Sequence, residues 1–195
     1  MSRTNPDDSD AVLAARALKG DRSAFNHIVR RNQEPLYRFI RRYVGDADEA
    51  YDLLQETFVS AWQALGRYDP ARPATTWLRR IALNKCRDWG RRRAVRKFFY
   101  AAKTLDETTP LPDPSASANP EDNIEVALTG LDRAIAALPA QLKEPLLLTA
   151  FEGFSHAAAG ETLGISAKAV ETRVYRARKL LAEALKAGGV DVDES

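Results

Sequence analysis

From residue 10 to about residue 100, apolar side chains return every three or four positions with almost no strand-like alternation, so this stretch reads as helix throughout. A first helix covers residues 10–18, closed by Gly20, and Asp21 is placed to cap the next. The second covers residues 23–43, with Phe25, Ile28, Val29, Leu36, Phe39, Ile40 and Tyr43 as its apolar stripe; Pro35 inside it predicts a kink or a break. Gly45-Asp46 marks a turn. Residues 48–65 carry the most regular amphipathic pattern, with Leu54, Phe58, Ala61, Trp62 and Leu65 on one face and Asp48, Asp52, Gln55 and Glu56 on the other. Residues 66–76 hold two prolines and read as a loop, and residues 77–93 as a further helix.

Charge divides the chain where periodicity does not. The totals nearly cancel, 29 basic against 27 acidic residues for a net charge of +2, so a nucleic-acid surface has to come from uneven placement. Residues 89–103 contain six basic residues and no acidic one, whereas residues 104–132 contain seven acidic residues, no basic one and four of the ten prolines. The stretch DETTPLPDPSASANPED buries too little apolar surface to offset the entropy of ordering it. The expected organisation is therefore all-α: a helical domain at 10–100, a flexible acidic Pro-rich linker at 101–128, and a second helical domain at 129–188. A helix starting near Gln141 would place Pro145 in its first turn, where a missing N–H is harmless.

Several function classes fall away. Cys86 is the single cysteine, so no internal disulfide forms, and His27 and His156 do not make a zinc-ligand set. Asp46, Asp48, Glu49 and Asp52 lack calcium-loop spacing, so neither a metal nor another cofactor is expected. No paired carboxylate–histidine set, nucleophile motif or phosphate-binding glycine loop points to an enzyme. The N-terminus has no apolar signal core and no run of about 18 apolar residues occurs, which predicts a cytoplasmic protein without membrane insertion.

The most specific pattern lies at residues 155–179. Ser155 caps HAAAGETL, Gly164 suits the left-handed residue that ends that short helix, and Ser166 caps the next, AKAVETRVYRARKLLAEALK. Ala159 and Gly160 are small where two helices must cross, and Val170, Val174, Ala177 and Leu181 repeat on an inward face. Caps, turn and crossing pair together describe a helix-turn-helix. That geometry sets Lys168, Glu171, Thr172 and Tyr175 against base edges and leaves Arg173, Arg176 and Arg178 for phosphates.

In the first domain the residues leave alternatives open. The face of Asp48, Asp52, Gln55 and Glu56 is either a solvated helix surface or a docking face for a basic partner. The following helix, TWLRRIALNKCRDWGRRR, interleaves aromatics with cations; its tryptophans read as core, and Asn84, Lys85 and the arginines as a surface for single-stranded DNA. Phe98-Phe99-Tyr100 either cap the core or touch a partner.

Three strings in order, DLLQETFVSAW, YDPARPATTWLRRIALN and LPAQLKEPLLLTAFEGFSHAAAGETLGISAKAVETRVYRARKLL, resemble the extracytoplasmic-function (group four) sigma factors of the bacterial sigma-70 family. The resemblance implies a protein that recruits core RNA polymerase to selected promoters and helps open the DNA. It implies that Asp48, Asp52, Gln55 and Glu56 bind the clamp helices of the largest polymerase subunit. It implies that Tyr68, Asn84, Lys85, Asp88, Arg91, Arg92 and Arg93 meet the melted minus-ten strand, with the loop from Tyr68 to Thr76 as the pocket for an extruded base. The minus-thirty-five duplex falls to Lys168, Glu171, Thr172, Arg173, Tyr175, Arg176 and Arg178, and an anti-sigma factor is an expected partner. Ala74, Tyr51, Pro145, Gly160 and Glu171 depart from the usual pattern; a carboxylate at Glu171 implies an altered base preference. The competing assignment is a helix-turn-helix regulator that never enters polymerase.

Overall fold

The computed structural model describes residues 8–103 and 130–187, and among these it contains helices and no strand. The N-terminal unit comprises α1 (Asp10–Leu18), α2 (Arg22–Val44), α3 (Ala47–Ala64) and α4 (Ala74–Lys103), with a 3-10 turn at Leu65–Arg67. The C-terminal unit comprises α5 (Gly130–Ala137), α6 (Ala140–Leu146), a π-helical turn at Leu147–Phe151, α7 (His156–Leu163) and α8 (Ala167–Ala187). The expected linker falls almost wholly outside the described residues.

Helix starts follow the caps. The Asp21 carboxylate accepts from the Ser23 and Ala24 amides at the head of α2, and Asp46 accepts from the Glu49 amide at 2.9 Å at the head of α3. Gly45 ends α2 in the left-handed region, φ 83°. Pro35 does not break α2, contrary to that part of the sequence expectation. Phe25 and Ile28 before the proline and Leu36, Phe39 and Ile40 after it are all buried, so core packing holds both halves in one helix despite the lost backbone bond.

Two further boundaries differ from expectation. Helix α4 begins at Ala74, because the Pro73 carbonyl accepts from the Thr76 and Trp77 amides, and it continues past Arg93 to Lys103, since no proline or left-handed residue stops it. Helix α6 begins at Ala140, so Pro145 lies in the second turn and not the first. The backbone then widens into the π turn, where the Glu152 amide reaches back to the Leu147 carbonyl at 3.2 Å.

Helices α7 and α8 form the expected helix-turn-helix. Ser155 and Ser166 accept from the Ala158 and Ala169 amides, each at 3.1 Å, and Gly164 turns the chain at φ 71°. Val170, Val174, Ala177 and Leu181 are buried. The chain folds back so tightly that a Cβ on Gly160 would lie 2.6 Å from the Ile165 carbonyl oxygen.

The units pack together along α2 and α4. A Cβ on Gly45 would meet the Ala136 Cβ at 2.8 Å, and the Lys143 ammonium donates to the Tyr43 carbonyl at 2.8 Å and the Ala136 carbonyl at 2.5 Å. The Glu144 carboxylate takes a two-pronged bond from Arg87, at 2.8 and 2.6 Å, and a third from the Tyr43 hydroxyl at 3.1 Å. Burial holds Lys143 down to about 8, from the ordinary 10.5.

Replacing a helical glycine by alanine ordinarily stabilises by about 1 kcal/mol. At Gly160 the backbone contact reverses the sign: Gly160→Ala is expected to lose roughly 1–3 kcal/mol in urea denaturation, while Gly90→Ala, with open space at its Cβ, is expected to gain. Equal shifts at both sites would refute the close crossing.

Lys143 adds a pH signature. Below about pH 8 the packed form bears a buried ammonium; between about 8 and 10.5 it sheds that proton before the unpacked form does, so packing strengthens as pH rises. The stability of the wild type relative to Lys143→Met should therefore increase from pH 7.5 to pH 10. A constant or falling difference in a denaturation series would contradict this.

Candidate nucleic-acid interface and docking face

On α3, burial of Ala50, Leu53, Leu54, Phe58 and Ala61 against the unit's core turns Asp48, Asp52, Gln55 and Glu56 outward, and all four are exposed. Beside them stand Tyr51 and Val59, each 57% exposed, and Trp62, 40% exposed with its ring set edge-on to Phe25 at 5.0 Å. The face is thus acidic and apolar together. Sequence reasoning had placed Trp62 on the core side and passed over Val59; their spacing from Tyr51 was the available signal.

Helix α4 lies against α3, and charge crosses between them. The Glu56 carboxylate is 3.4 Å from the Lys85 ammonium. Glu49 accepts from the Trp89 indole N–H at 2.7 Å and lies 4.0 Å from Arg96. Trp89 is buried, and Trp77 is half-buried against the core with its ring tilted on Tyr68 at 5.1 Å. Asn84, Arg91, Arg92 and Arg93 are exposed; Asp88 is paired with Arg91, and the Arg93 guanidinium rests over the Trp89 ring at 5.2 Å. The residues from Asn84 onward share one helix with Tyr68 at the loop before it. Phe99 is exposed, whereas the side chains of Phe98 and Tyr100 lie outside what the structure describes.

The loop before α4 is ordered by its own bonds: the Tyr68 hydroxyl donates to the Arg72 carbonyl at 2.8 Å, and Asp69 accepts from the Ala71 amide at 3.0 Å. Burial raises the Tyr68 phenol above its ordinary value. Ala74 is buried at the first turn of α4. Tyr68, Arg72, Trp77 and Arg80 line a cavity of about 370 Å³, whose far wall is Ala158, Glu161 and Thr162 of α7. An aromatic pair with arginines around it suits a base flanked by phosphates.

On α8, Lys168, Glu171, Thr172, Tyr175, Arg176 and Arg178 are exposed and Arg173 is half-buried. Lys168 pairs with Glu171 at 2.9 Å and holds its carboxyl below the usual range. The Thr172 hydroxyl donates to the Lys168 carbonyl at 2.9 Å, which leaves its oxygen free to accept. Glu171, Thr172, Tyr175 and Arg178 come together in a groove of about 650 Å³, joined by Phe154 and His156 from the start of α7. Lys168, Arg173 and Arg176 do not line it. His156 and Phe154 carried no signal of their own in the sequence, since they precede the reading helix.

Sequence reasoning also missed a set of arginines facing the C-terminal unit. Arg42 pairs with Asp132 at 3.2 Å and stacks 4.5 Å over the Phe151 ring; Arg72 pairs with Glu161 at 2.6 Å; Arg79, only 2% exposed, pairs with Glu152. Among the described residues, Nη1 of Arg79 is the one buried side-chain nitrogen or oxygen without a hydrogen-bond partner, a deficit of about 1–3 kcal/mol.

Comparison with known proteins agrees with this layout. Residues 28–96 match the family model Sigma-70 region 2, and residues 128–181 match Sigma-70, region 4. The RNA polymerase sigma factor CnrH of Cupriavidus metallidurans is 38% identical over 187 residues, covering 94% of this chain and 97% of that protein. The structure of CnrH in complex with the cytosolic domain of CnrY superposes with a TM-score of 0.65 at 34% identity, covering 92% of this chain and 99% of the other. The sigma factor RpoE of Bartonella quintana, in complex with the anti-sigma factor NepR, gives 0.63 at 25% identity over 83% of this chain and 96% of its own. The chain therefore belongs to the sigma-70 family, among its extracytoplasmic-function sigma factors.

Proposed function

We propose that this protein binds core RNA polymerase and directs it to selected promoters, and that it does so by a division of labour between its two units. The observation that carries this is the joining of α3 and α4: an exposed acidic and apolar face lies beside a cationic helix, with Glu56 and Lys85 3.4 Å apart at the seam. Asp48, Asp52, Gln55 and Glu56 dock on the clamp helices of the largest polymerase subunit, with Tyr51 and Val59 adding apolar contact. Tyr68, Asn84, Lys85 and Arg91–Arg93 take the melted minus-ten strand, with the loop cavity receiving an extruded base; Asp88 orients Arg91. Electrostatic contact with phosphates supplies affinity and stacking tolerates sequence. Residues 129–188 act as the minus-thirty-five reader: Lys168, Glu171, Thr172 and Tyr175 face bases and Arg173, Arg176 and Arg178 face phosphates. An anti-sigma factor is the expected regulatory partner. No cofactor or catalytic group enters this scheme. No helix among the described residues is long and apolar enough to cross a membrane, and the site of action is the cytoplasm.

The deciding experiment is transcription in vitro with core polymerase on a promoter library; absence of transcripts from every member would end the proposal. Within it, Glu56→Lys is expected to weaken core association by about ten-fold, on the order of 1.4 kcal/mol. Glu171 is expected to select cytosine at one minus-thirty-five position through its amino group. Glu171→Gln should relax that preference by roughly 1–3 kcal/mol without changing the minus-ten preference, read by sequencing the selected promoters.

A further inference from the structure

Glu49 lies in the first turn of α3, where its amide donates to the capping carboxylate of Asp46 at 2.9 Å. A glutamate three residues after a cap ordinarily turns back to the cap's own amide. This one reaches across to α4 instead. One carboxylate oxygen accepts from the Trp89 indole N–H at 2.7 Å, and the other lies 4.0 Å from the Arg96 guanidinium. Further along α3, Glu56 meets Lys85, so the two helices run antiparallel with a carboxylate of α3 at each end of the contact.

The two carboxylates differ in kind. Glu56 and Lys85 form an exposed ion pair that solvent screens. Trp89 is 7% exposed, and its indole has a single donor, which needs an acceptor once it is shut away from water. Glu49 supplies that acceptor and so fixes how the ring is turned. The ring in turn carries the Arg93 guanidinium over its face, 5.2 Å from the ring centre. A carboxylate on the indole N–H pushes electron density into the ring, which strengthens its attraction for a cation on the face. Arg93 is otherwise exposed, and its neighbour Arg92 is equally exposed with no ring contact among the described residues. Arg93 therefore meets a phosphate with much of its side-chain freedom already lost, whereas Arg92 gives that freedom up on binding. Arg96 beside Glu49 offsets the carboxylate, which would otherwise repel a nearby phosphate.

We infer that Glu49 is a positioning residue for single-stranded DNA: acting through the Trp89 indole, it sets the Arg93 guanidinium on the path of the strand. The inference rests on the strand-binding role proposed for α4; the contact between Glu49 and Trp89 does not.

The test uses holoenzyme reconstituted from the full chain and core polymerase, with a labelled mixed-sequence single strand followed by fluorescence anisotropy above the level of core alone. Glu49→Ala should weaken strand binding about five-fold, and Arg93→Gln by about the same factor. In the Arg93→Gln background Glu49→Ala should change binding by no more than about two-fold, whereas in an Arg92→Gln background its full effect should remain. Glu49→Gln, whose amide oxygen still accepts from the indole, should bind within about two-fold of wild type. In proton–nitrogen correlation spectra of the full chain, the Trp89 indole signal, identified by its loss in Trp89→Phe, should shift and exchange faster with solvent in Glu49→Ala but not in Glu49→Gln. A Glu49→Ala loss that persists in full in the Arg93→Gln background would mark general damage to the fold and overturn the positioning role, as would a Glu49→Gln variant as weak as Glu49→Ala. Weakened binding by Arg93→Gln beside an unaffected Glu49→Ala would overturn it with the strand role of α4 left standing. Wild-type binding by Arg93→Gln would remove that strand role and the inference with it, while the indole signal still reported the Glu49 contact.

Discussion

A carboxylate removed from water costs several kcal/mol unless cations and donors close around it. Glu144 is in that situation, and the groups that close around it come from both units: the Arg87 fork from α4, the Tyr43 hydroxyl from α2 and, one residue away in its own helix, the Lys143 ammonium holding the Tyr43 and Ala136 carbonyls. The placement of the Tyr68–Arg72 loop beside α7 depends on this cluster and on the buried Arg79–Glu152 pair, because Arg72 and Glu161 at the rim are too exposed to fix it alone. The surrounding groups respond as this arrangement requires. Burial and the adjacent Glu144 charge push the Tyr43 phenol far above its ordinary value, so it stays a donor at any physiological pH. Burial also raises the Cys86 thiol beneath the cluster to a value that keeps it neutral.

The elements were legible because local chemistry and core packing agree in most of the chain. Asp21, Ser155 and Ser166 cap where their sequence context says they should, and Gly45 and Gly164 turn left-handed at helix ends. The misread boundaries are those where packing overrides a local rule. Pro35 is carried through α2 by a stripe buried on both sides of it, and Pro145 sits buried in the second turn of α6, just before the turn that widens to π.

Of the candidate site, the single-helix part was readable and the shared part was not. The row Glu171, Thr172, Tyr175 and Arg178 follows from helical periodicity, and it does converge on one groove. Phe154, just before α7, and His156, its first residue, complete that groove, which no periodicity reports. The four arginines that pair across the units were equally invisible, since Arg42 and Arg79 look like any solvated cation until their carboxylates, far away in sequence, are in place.

The two acidic surfaces of the molecule obey different physics, and this separates their roles. Glu56 and Lys85 meet at 3.4 Å with side chains 44% and 28% exposed, a geometry in which solvent screens the attraction and either partner can be exchanged for another charge at little cost. Glu144 and Arg87 meet where the carboxylate is 8% exposed, so removing one partner without supplying another strands a buried charge. A competing charge that took either Glu56 or Lys85 would release the other at little cost. The Glu144 cluster has no such graded response. Its carboxylate is satisfied by the Arg87 fork and the Tyr43 hydroxyl together, so loss of either leaves a buried oxygen without its donor.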